Sequence, residues 1–302
     1  MGHLHEFWVL TNIMRDINSS SVTTVYAVPS LNLPWALRFT AAELQRQRKA
    51  QKCVVAAVDD LDARLLHTIA QGSILGRRYG ALARLDHVLS EHAMRMRGDD
   101  MAFKAAEAGR KYMLEKQAYR RHCSALWAAL HADDSAVFLQ ALLSTGSELD
   151  EFATSFRTVP MGTIPDSKGR CRAFPNASEV TLGLKQLWEF ENKSVALNPI
   201  VRAAVFHYAI CVLHPFRDGN GRLARVLFNV LLNRGNVEKS YVPCRQLFNA
   251  SRFGYEIRLH QLDSEQDWNA LIDFFCDVVV AGYRMRKKSL KRRTTPVKER
   301  YG

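Results

Sequence analysis

The sequence predicts a mainly helical protein, and two observations support this fold class. From about residue 39 to residue 143 most residues are strong helix formers, which predicts an N-terminal helical lobe. The expected helices of this lobe cover residues 41–61, 62–81 and 103–131. Apolar residues also recur at helical spacing before and after residues 214–222, which predicts two further helices joined by a loop.

The boundaries of these two later helices are visible in the sequence. Asn198 and Pro199 form an N-cap and first-turn pair before an apolar run that ends at Leu213. The second helix is predicted from a stripe of apolar residues, Leu223, Val226, Leu227, Val230 and Leu231. Gly235 then ends the pattern. Near the N-terminus, the β-branched residues and tyrosine of segment 22–28 predict a strand or an ordered arm.

The loop between the two helices carries side chains suited to phosphate chemistry. His214, at the end of the first helix, is a candidate general base because imidazole has the unperturbed pKa nearest neutrality. Asp218 offers a hard oxygen ligand of the kind that Mg²⁺ prefers, so it is the candidate metal ligand.

The start of the second helix adds a candidate anion site. The backbone of Gly219, Asn220 and Gly221 can direct N–H groups toward one point, where the helix dipole also favours negative charge. Arg222 and Arg225 are three residues apart and therefore share a helical face. Because guanidinium groups match phosphate oxygens in a planar, bidentate way, we expect both arginines to bind the outer phosphates of a nucleotide.

Residues 214–225 read His-Pro-Phe-Arg-Asp-Gly-Asn-Gly-Arg-Leu-Ala-Arg and resemble the signature of the Fic family at every motif position. The resemblance implies an all-α, Fic-type helical core and the transfer of AMP from ATP to a hydroxyl group of a target protein. It implies that His214 deprotonates a Ser, Thr or Tyr, and that Asp218 holds Mg²⁺ across the alpha and beta phosphates. Phe216 would anchor the loop in the core. Gly221, where kinase-like members have lysine, favours AMP transfer.

The resemblance extends to both sides of the motif. Residues 156–174 resemble the family's flap, a hairpin that positions the target segment by strand addition. The candidate target-positioning residues of this flap are Met161, Gly162, Thr163 and Ile164. Downstream, Asn249 and Tyr255 fall where the family places residues around the adenine and ribose. A tyrosine at helical spacing is also typical of a core position, so both interpretations of Tyr255 remain open.

These features divide the chain into an N-terminal mainly helical lobe (1–145), a Fic core (146–283) and a basic C-terminal tail (284–302). With 302 residues, 47% hydrophobic and 24% charged, the composition is that of a globular protein. Nine Lys or Arg and one acid give residues 284–300 a charge of +8, out of +12 for the chain. The simpler interpretation of this basic run is a solvent-exposed face. The alternatives are that it binds an acidic partner, a membrane surface or nucleic acid. We expect no DNA-binding domain after the core.

Composition also bears on compartment and cofactors. Six cysteines without a C-x-x-C pair predict reduced thiols and a cytoplasmic protein, with signal-independent secretion as the alternative. No apolar stretch reaches about 18 residues, so we expect no transmembrane segment. The P-loop pattern is absent, and the spacings between the histidines do not fit a helical zinc pair.

Regulation is predicted from a pattern that many Fic proteins carry. In them an inhibitory helix reads Ser or Thr, three residues, Glu, then Gly or Asn, and its glutamate pairs with the second motif arginine. In segment 70–76, Leu75 occupies the glutamate position. Segments 144–148 and 295–299 lack the following Gly or Asn. The sequence therefore predicts that no glutamate of this chain pairs with Arg225, and that inhibition requires a separate partner chain or does not occur.

The sequence thus predicts a protein adenylyltransferase, a nucleotidyltransferase that uses ATP and Mg²⁺ and releases pyrophosphate. Two alternatives remain: a Fic-fold interaction module that acts by binding a partner, and removal of AMP or auto-modification. The combination of His214, Asp218 and the motif glycines disfavours the interaction module, because binding alone needs neither a base nor a metal ligand.

Overall fold

A computed structural model describes residues 8–9, 24–27, 31–55, 74–79, 101–162, 170–251 and 253–294, and it confirms the all-α prediction. Its helices are α1 (Ala41–Val55), α2 (Ile74–Tyr79), α3 (Met101–Leu130), α4 (Ser135–Leu149), α5 (Ala177–Lys193), α6 (Pro199–Leu213), α7 (Asn220–Asn233), α8 (Cys244–Ala250), α9 (Gly254–Glu265) and α10 (Trp268–Thr294). Its strands are β1 (Trp8–Val9), β2 (Thr24–Ala27), β3 (Met161–Gly162) and β4 (Arg170–Ala173).

Helix α6 lies at the centre of the fold and packs against α7, α10 and α5. The expected N-cap is present, because the side chain of Asn198 accepts a hydrogen bond from the Ile200 N–H at 3.1 Å and Pro199 follows in the first turn. Every residue of α6 except Cys211 is buried, as expected for a helix whose residues are mostly apolar. The end of α6, where the candidate site begins, is therefore fixed by the core.

Helices α3 and α4 form a second layer, and α3 also packs against α7. The break that the sequence predicts between them is a turn at residues 131–134. Asp134 caps α4 by accepting a hydrogen bond from the Ala136 N–H at 2.8 Å. The buried face of α3 consists mainly of large side chains, Tyr112, Tyr119, Leu126 and Leu130, with Glu115 among them.

The predicted flap hairpin is present, and it belongs to a larger sheet with the strand order β1-β3-β4-β2. Strands β3 and β4 pair antiparallel, with Gly162 opposite Ala173. On the outer edges, β1 pairs antiparallel with β3, and β2 pairs parallel with β4. Strand β2 is the strand expected in segment 22–28. Thr163 and Ile164 lie outside the described residues.

A single buried core extends from Leu33 to Met285 and includes side chains from both predicted lobes. The predicted boundary at residue 145 falls inside α4. The basic segment begins within α10, which continues to Thr294. Within the described part of the chain, no helix is both long and apolar enough to cross a membrane. Five cysteines are free thiols, at positions 53, 123, 211, 244 and 276.

Candidate active site

His214 ends helix α6 in a left-handed conformation, with φ 48° and ψ 60°, and its N–H donates to the Ile210 carbonyl. This conformation is uncommon for a residue with a side chain, so the surrounding structure must stabilise it. The side chain is only 2% exposed. The Phe174 ring lies parallel to the imidazole, with 4.1 Å between centroids and an interplanar angle of 5°. Because Phe174 directly follows β4, the base of the flap covers the histidine.

The environment of His214 favours the neutral imidazole. Burial and the nearby Arg157 guanidinium lower the pKa of His214 to about 3, against a smaller opposing effect of a hydrogen bond with the Cys211 backbone. A neutral imidazole is the form that accepts a proton. The group is thus in the protonation state that a general base requires at neutral pH.

The loop after His214 is closed by a side chain that bridges its two ends. Asn220 accepts a hydrogen bond from the Phe216 N–H at 2.8 Å and donates to the Phe216 carbonyl at 2.9 Å. The Phe216 ring is buried, lies 5.5 Å from the Phe156 ring, and passes so close to Gly146 that an added Cβ would lie 2.7 Å from it. The Phe216 ring therefore fits into the core only because the α4 residue next to it, Gly146, has no side chain.

Asp218 is the half-buried acid of the loop. Its side chain is 45% exposed, and its Oδ1 accepts a hydrogen bond from the Gly219 N–H at 2.6 Å. Among the described residues, no group of three or more His, Cys, Asp or Glu could hold a metal ion. Mg²⁺ usually binds through one or two carboxylates together with the phosphates of its substrate, so a half-exposed Asp218 fits that ion.

Arg222 contacts the C-terminal end of α4. Its guanidinium donates to the Leu149 carbonyl at 2.7 Å, forms an ion pair with Asp150, and lies 3.2 Å from Asp218 Oδ2. Gly219 lies against the same acid, since an added Cβ would be 2.9 Å from the Asp150 Cβ. Asp150 thus forms an ion pair with Arg222 and leaves no room for a side chain at Gly219.

Arg225 forms a buried, bidentate ion pair with Glu115 of α3. Its Nε lies 3.1 Å from both carboxylate oxygens, and its Nη2 lies 2.5 Å from Oε1. Tyr241 donates to the same carboxylate at 3.1 Å. Burial alone would lower the pKa of Arg225, but the Glu115 carboxylate raises it above its usual range. The prediction that no glutamate of this chain pairs with Arg225 is therefore wrong.

The physical reason for this error is that helix packing, and not a linear pattern, brings the pair together. Lys111 and Lys116 occupy the positions where the inhibitory pattern requires Ser or Thr and Gly or Asn. Glu115 is nevertheless three residues after Tyr112 and four before Tyr119, on the buried face of α3. An acidic residue on an apolar helix face is a signal that could have identified it, because buried carboxylates are almost always paired.

The remaining predicted residues lie in different surroundings. Met161 is buried in β3, and its carbonyl accepts a hydrogen bond from the Phe174 N–H at 2.8 Å, so this flap residue connects to the ring that covers His214. Gly162 is also buried in β3. Tyr255 is buried and stacks on Phe248 at 4.2 Å. Asn249 is exposed on α8.

Four residues at the site were not predicted individually: Glu115 and Asp150 were outside every predicted site, and Arg157 and Phe174 were included only in the flap segment 156–174. Each lies outside residues 214–225 and reaches the loop only through tertiary packing. Arg157 had the clearest sequence signal of a buried role, because it is the lone charged residue in a segment of apolar and small polar residues. The structure buries its side chain to 3% exposure.

Residues 134–232 match the sequence profile of the Fic/DOC family. This part of the chain is therefore a Fic domain.

Named relatives share short segments with this chain. Protein adenylyltransferase fic-1 of Caenorhabditis briggsae is 41% identical over 56 residues, which are 18% of this chain and 11% of that protein. Protein adenylyltransferase Fic of Drosophila virilis is 33% identical over 90 residues, which are 30% of this chain and 17% of that protein. The matches thus span less than a fifth of these relatives.

A solved structure supports the fold over most of the chain. The Fic family protein from Desulfovibrio desulfuricans G20 superposes with a TM-score of 0.54 and 16% sequence identity. The superposition covers 89% of this chain and 79% of the other. The likeness therefore includes the helices before the Fic domain.

Proposed function

We propose that this protein is an adenylyltransferase that transfers AMP from ATP to a hydroxyl group of a target protein. The observation that carries the proposal is the geometry of the loop between α6 and α7 in a Fic domain. In this geometry a neutral, buried histidine lies close in sequence to a half-buried aspartate and the N-terminus of a core helix. The names of the similar proteins support the same reaction.

In the proposed reaction His214 accepts the proton of the target hydroxyl as its oxygen attacks the alpha phosphorus of ATP. A new oxygen–phosphorus bond forms, the bond from the alpha phosphorus to the bridging oxygen breaks, and pyrophosphate leaves. The first N–H groups of α7 and its dipole stabilise the developing negative charge. Asp218 would hold Mg²⁺, which when bound neutralises charge on the phosphates.

Two features indicate that the described conformation is a resting one. Both ring nitrogens of His214 are buried and the Phe174 ring covers one face of the imidazole, while Glu115 binds the guanidinium of Arg225. ATP binding through Arg225 has to displace a carboxylate, and the target hydroxyl can reach a ring nitrogen of His214 only after a local rearrangement. We therefore include in the proposal that Glu115 restrains activity within the same chain.

The proposal is tested with purified protein, Mg²⁺ and alpha-labelled ATP in a cell lysate. We expect label on protein with the wild type or with Glu115→Gln, and none with His214→Ala. His260→Ala is the matched control, because His260 is exposed on α9 and should leave the transfer unchanged. Parallel reactions with gamma-labelled ATP separate AMP transfer from phosphorylation. Absence of transfer by both wild type and Glu115→Gln would refute the proposal.

A further inference from the structure

Arg157 binds the carbonyl groups of three consecutive residues at the end of α6. Its backbone N–H donates to the Pro215 carbonyl at 2.8 Å, its Nε to the His214 carbonyl at 2.7 Å, and its Nη2 to the Leu213 carbonyl at 3.2 Å. The last carbonyls of a helix have no partner within the helix and favour a positive charge nearby. One residue thus donates hydrogen bonds to the carbonyl groups at the helix end and in the left-handed turn that follows it.

The same guanidinium reaches both ends of the flap. Its Nη1 donates to the Val159 carbonyl at 3.1 Å, and its Nη2 donates to the Pro175 carbonyl at 2.5 Å. Val159 lies just before β3, and Pro175 follows the Phe174 ring that stacks on His214. Arg157 therefore connects the backbone of His214 to the base of the flap.

Burial and charge make this connection specific for arginine. Arg157 is 3% exposed, and burial lowers its pKa to about 10, against the opposing effect of Glu179, so the guanidinium stays protonated at neutral pH. Only a planar fork with several N–H donors can bind four carbonyl oxygens that lie on both sides of it. A lysine in the same place would keep the charge but could not reproduce this set of contacts.

We propose that Arg157 is a positioning residue for His214, which it holds in the left-handed turn and aligns with the flap that presents the target hydroxyl. This inference rests on the proposed transfer reaction. A base displaced by about 1 Å can cost about a hundredfold in rate, because the reacting atoms lose their alignment. The positive charge of Arg157 also contributes to keeping the imidazole neutral.

The test compares Arg157→Lys and Arg157→Gln with the wild type. For both variants we expect kcat to fall about a hundredfold while the Kd for ATP changes less than about threefold, because Arg157 contacts the histidine turn and not the nucleotide loop. With Arg157→Gln we also expect the pKa of His214 to rise from about 3, while burial keeps it below the ordinary value of about 6.5. That pKa is measured by NMR of labelled histidine, assigned by the signal lost in His214→Ala.

Arg202→Lys is the matched control for a purely structural arginine. Arg202 is also buried, at 4% exposure, and forms an ion pair with Glu191 between α6 and α5. This control should lower the free energy of unfolding without moving the pKa of His214. If Arg157→Lys keeps the wild-type kcat and pH profile, or loses no more activity than Arg202→Lys at equal stability, the positioning role is overturned.

Two outcomes separate this inference from the proposed function. If neither wild type nor Glu115→Gln transfers AMP, the proposed function fails, while the NMR titration still reports the effect of Arg157 on His214. If neither Arg157 variant folds, Arg157 is required for the stability of the fold, and the separate positioning role is overturned.

Discussion

Gly219, which directly precedes α7, is a position where both the backbone conformation and the available space disfavour any side chain. It has φ 83°, and an added Cβ would lie 2.9 Å from the Asp150 Cβ. We predict that Gly219→Ala lowers the free energy of unfolding by at least about 1–2 kcal/mol, from left-handed strain alone, and abolishes most AMP transfer. Chemical denaturation and the transfer assay measure the two effects.

Gly282→Ala in α10 is the control for this substitution. Its Cβ would meet Leu247 at an ordinary 3.4 Å, and alanine is a better helix former than glycine. We expect unchanged activity and unchanged or higher stability. Equal behaviour of the two alanine variants would show that the conformation of Gly219 has no special role.

Glu115 is the residue whose change should raise activity. Glu115→Gln removes the negative charge that holds Arg225 but keeps the side-chain shape and an acceptor for Tyr241. We predict faster AMP transfer than in the wild type, together with a loss of about 3 kcal/mol in stability, because a buried guanidinium loses its partner. Steady-state kinetics and chemical denaturation measure the two effects.

Asp273→Asn is the control, because Asp273 forms a similar two-contact pair with Arg46, at 2.7 and 3.0 Å, between α10 and α1. We expect this variant to lose some stability without gaining activity. A Glu115→Gln variant no faster than the wild type would leave the Glu115 pair with a structural role only.

Among the helices and strands, those with a local signal were predictable. The N-cap at Asn198 and the apolar helix α6 follow from residue spacing and capping chemistry, and the flap hairpin follows from the family resemblance of residues 156–174. The approach of α3 to α7 was not predictable, because it depends on which face of a 30-residue helix the core covers. Likewise the pairing of β1 and β2 with the flap joins segments more than 130 residues apart, and periodicity contains no information on such pairs.

The pairing of β1 with β3 has a consequence for target binding. In the sheet, Val9 lies opposite Met161, so the edge of β3 that a target strand would use is already paired. We predict that Val9→Pro, which removes a backbone donor and disfavours the strand, increases the rate of AMP transfer to an added target. Val25→Pro in β2 is the matched control, since it affects only the edge of β4. Equal rates for Val9→Pro and wild type would indicate that β1 does not compete with the target.

At the scale of the whole molecule, one core joins the helices before the Fic domain to the domain itself, so buried titratable groups affect the stability of the entire fold. Burial, with the nearby Arg157 charge, lowers the pKa of His214 to about 3, and burial raises the pKa of Glu256 to about 7. The two groups have opposite effects on how the free energy of unfolding depends on pH. As pH falls below about 6.5, His214 becomes protonated in the unfolded chain but stays neutral in the folded state, so stability is lost. Between about pH 4.5 and 7, Glu256 is ionised in the unfolded chain but neutral in the folded state, so stability is lost as pH rises.

Because these effects offset each other between about pH 4.5 and 6.5, the contribution of each group is measured with the other removed. In a Glu256→Gln background, we predict that the free energy of unfolding falls by about 2 kcal/mol between pH 7 and pH 5, from the protonation of His214 in the unfolded chain. Adding His214→Ala should abolish that pH dependence. Urea denaturation at a series of pH values provides the measurement, and a pH dependence that survives in the double variant would assign the effect to other groups.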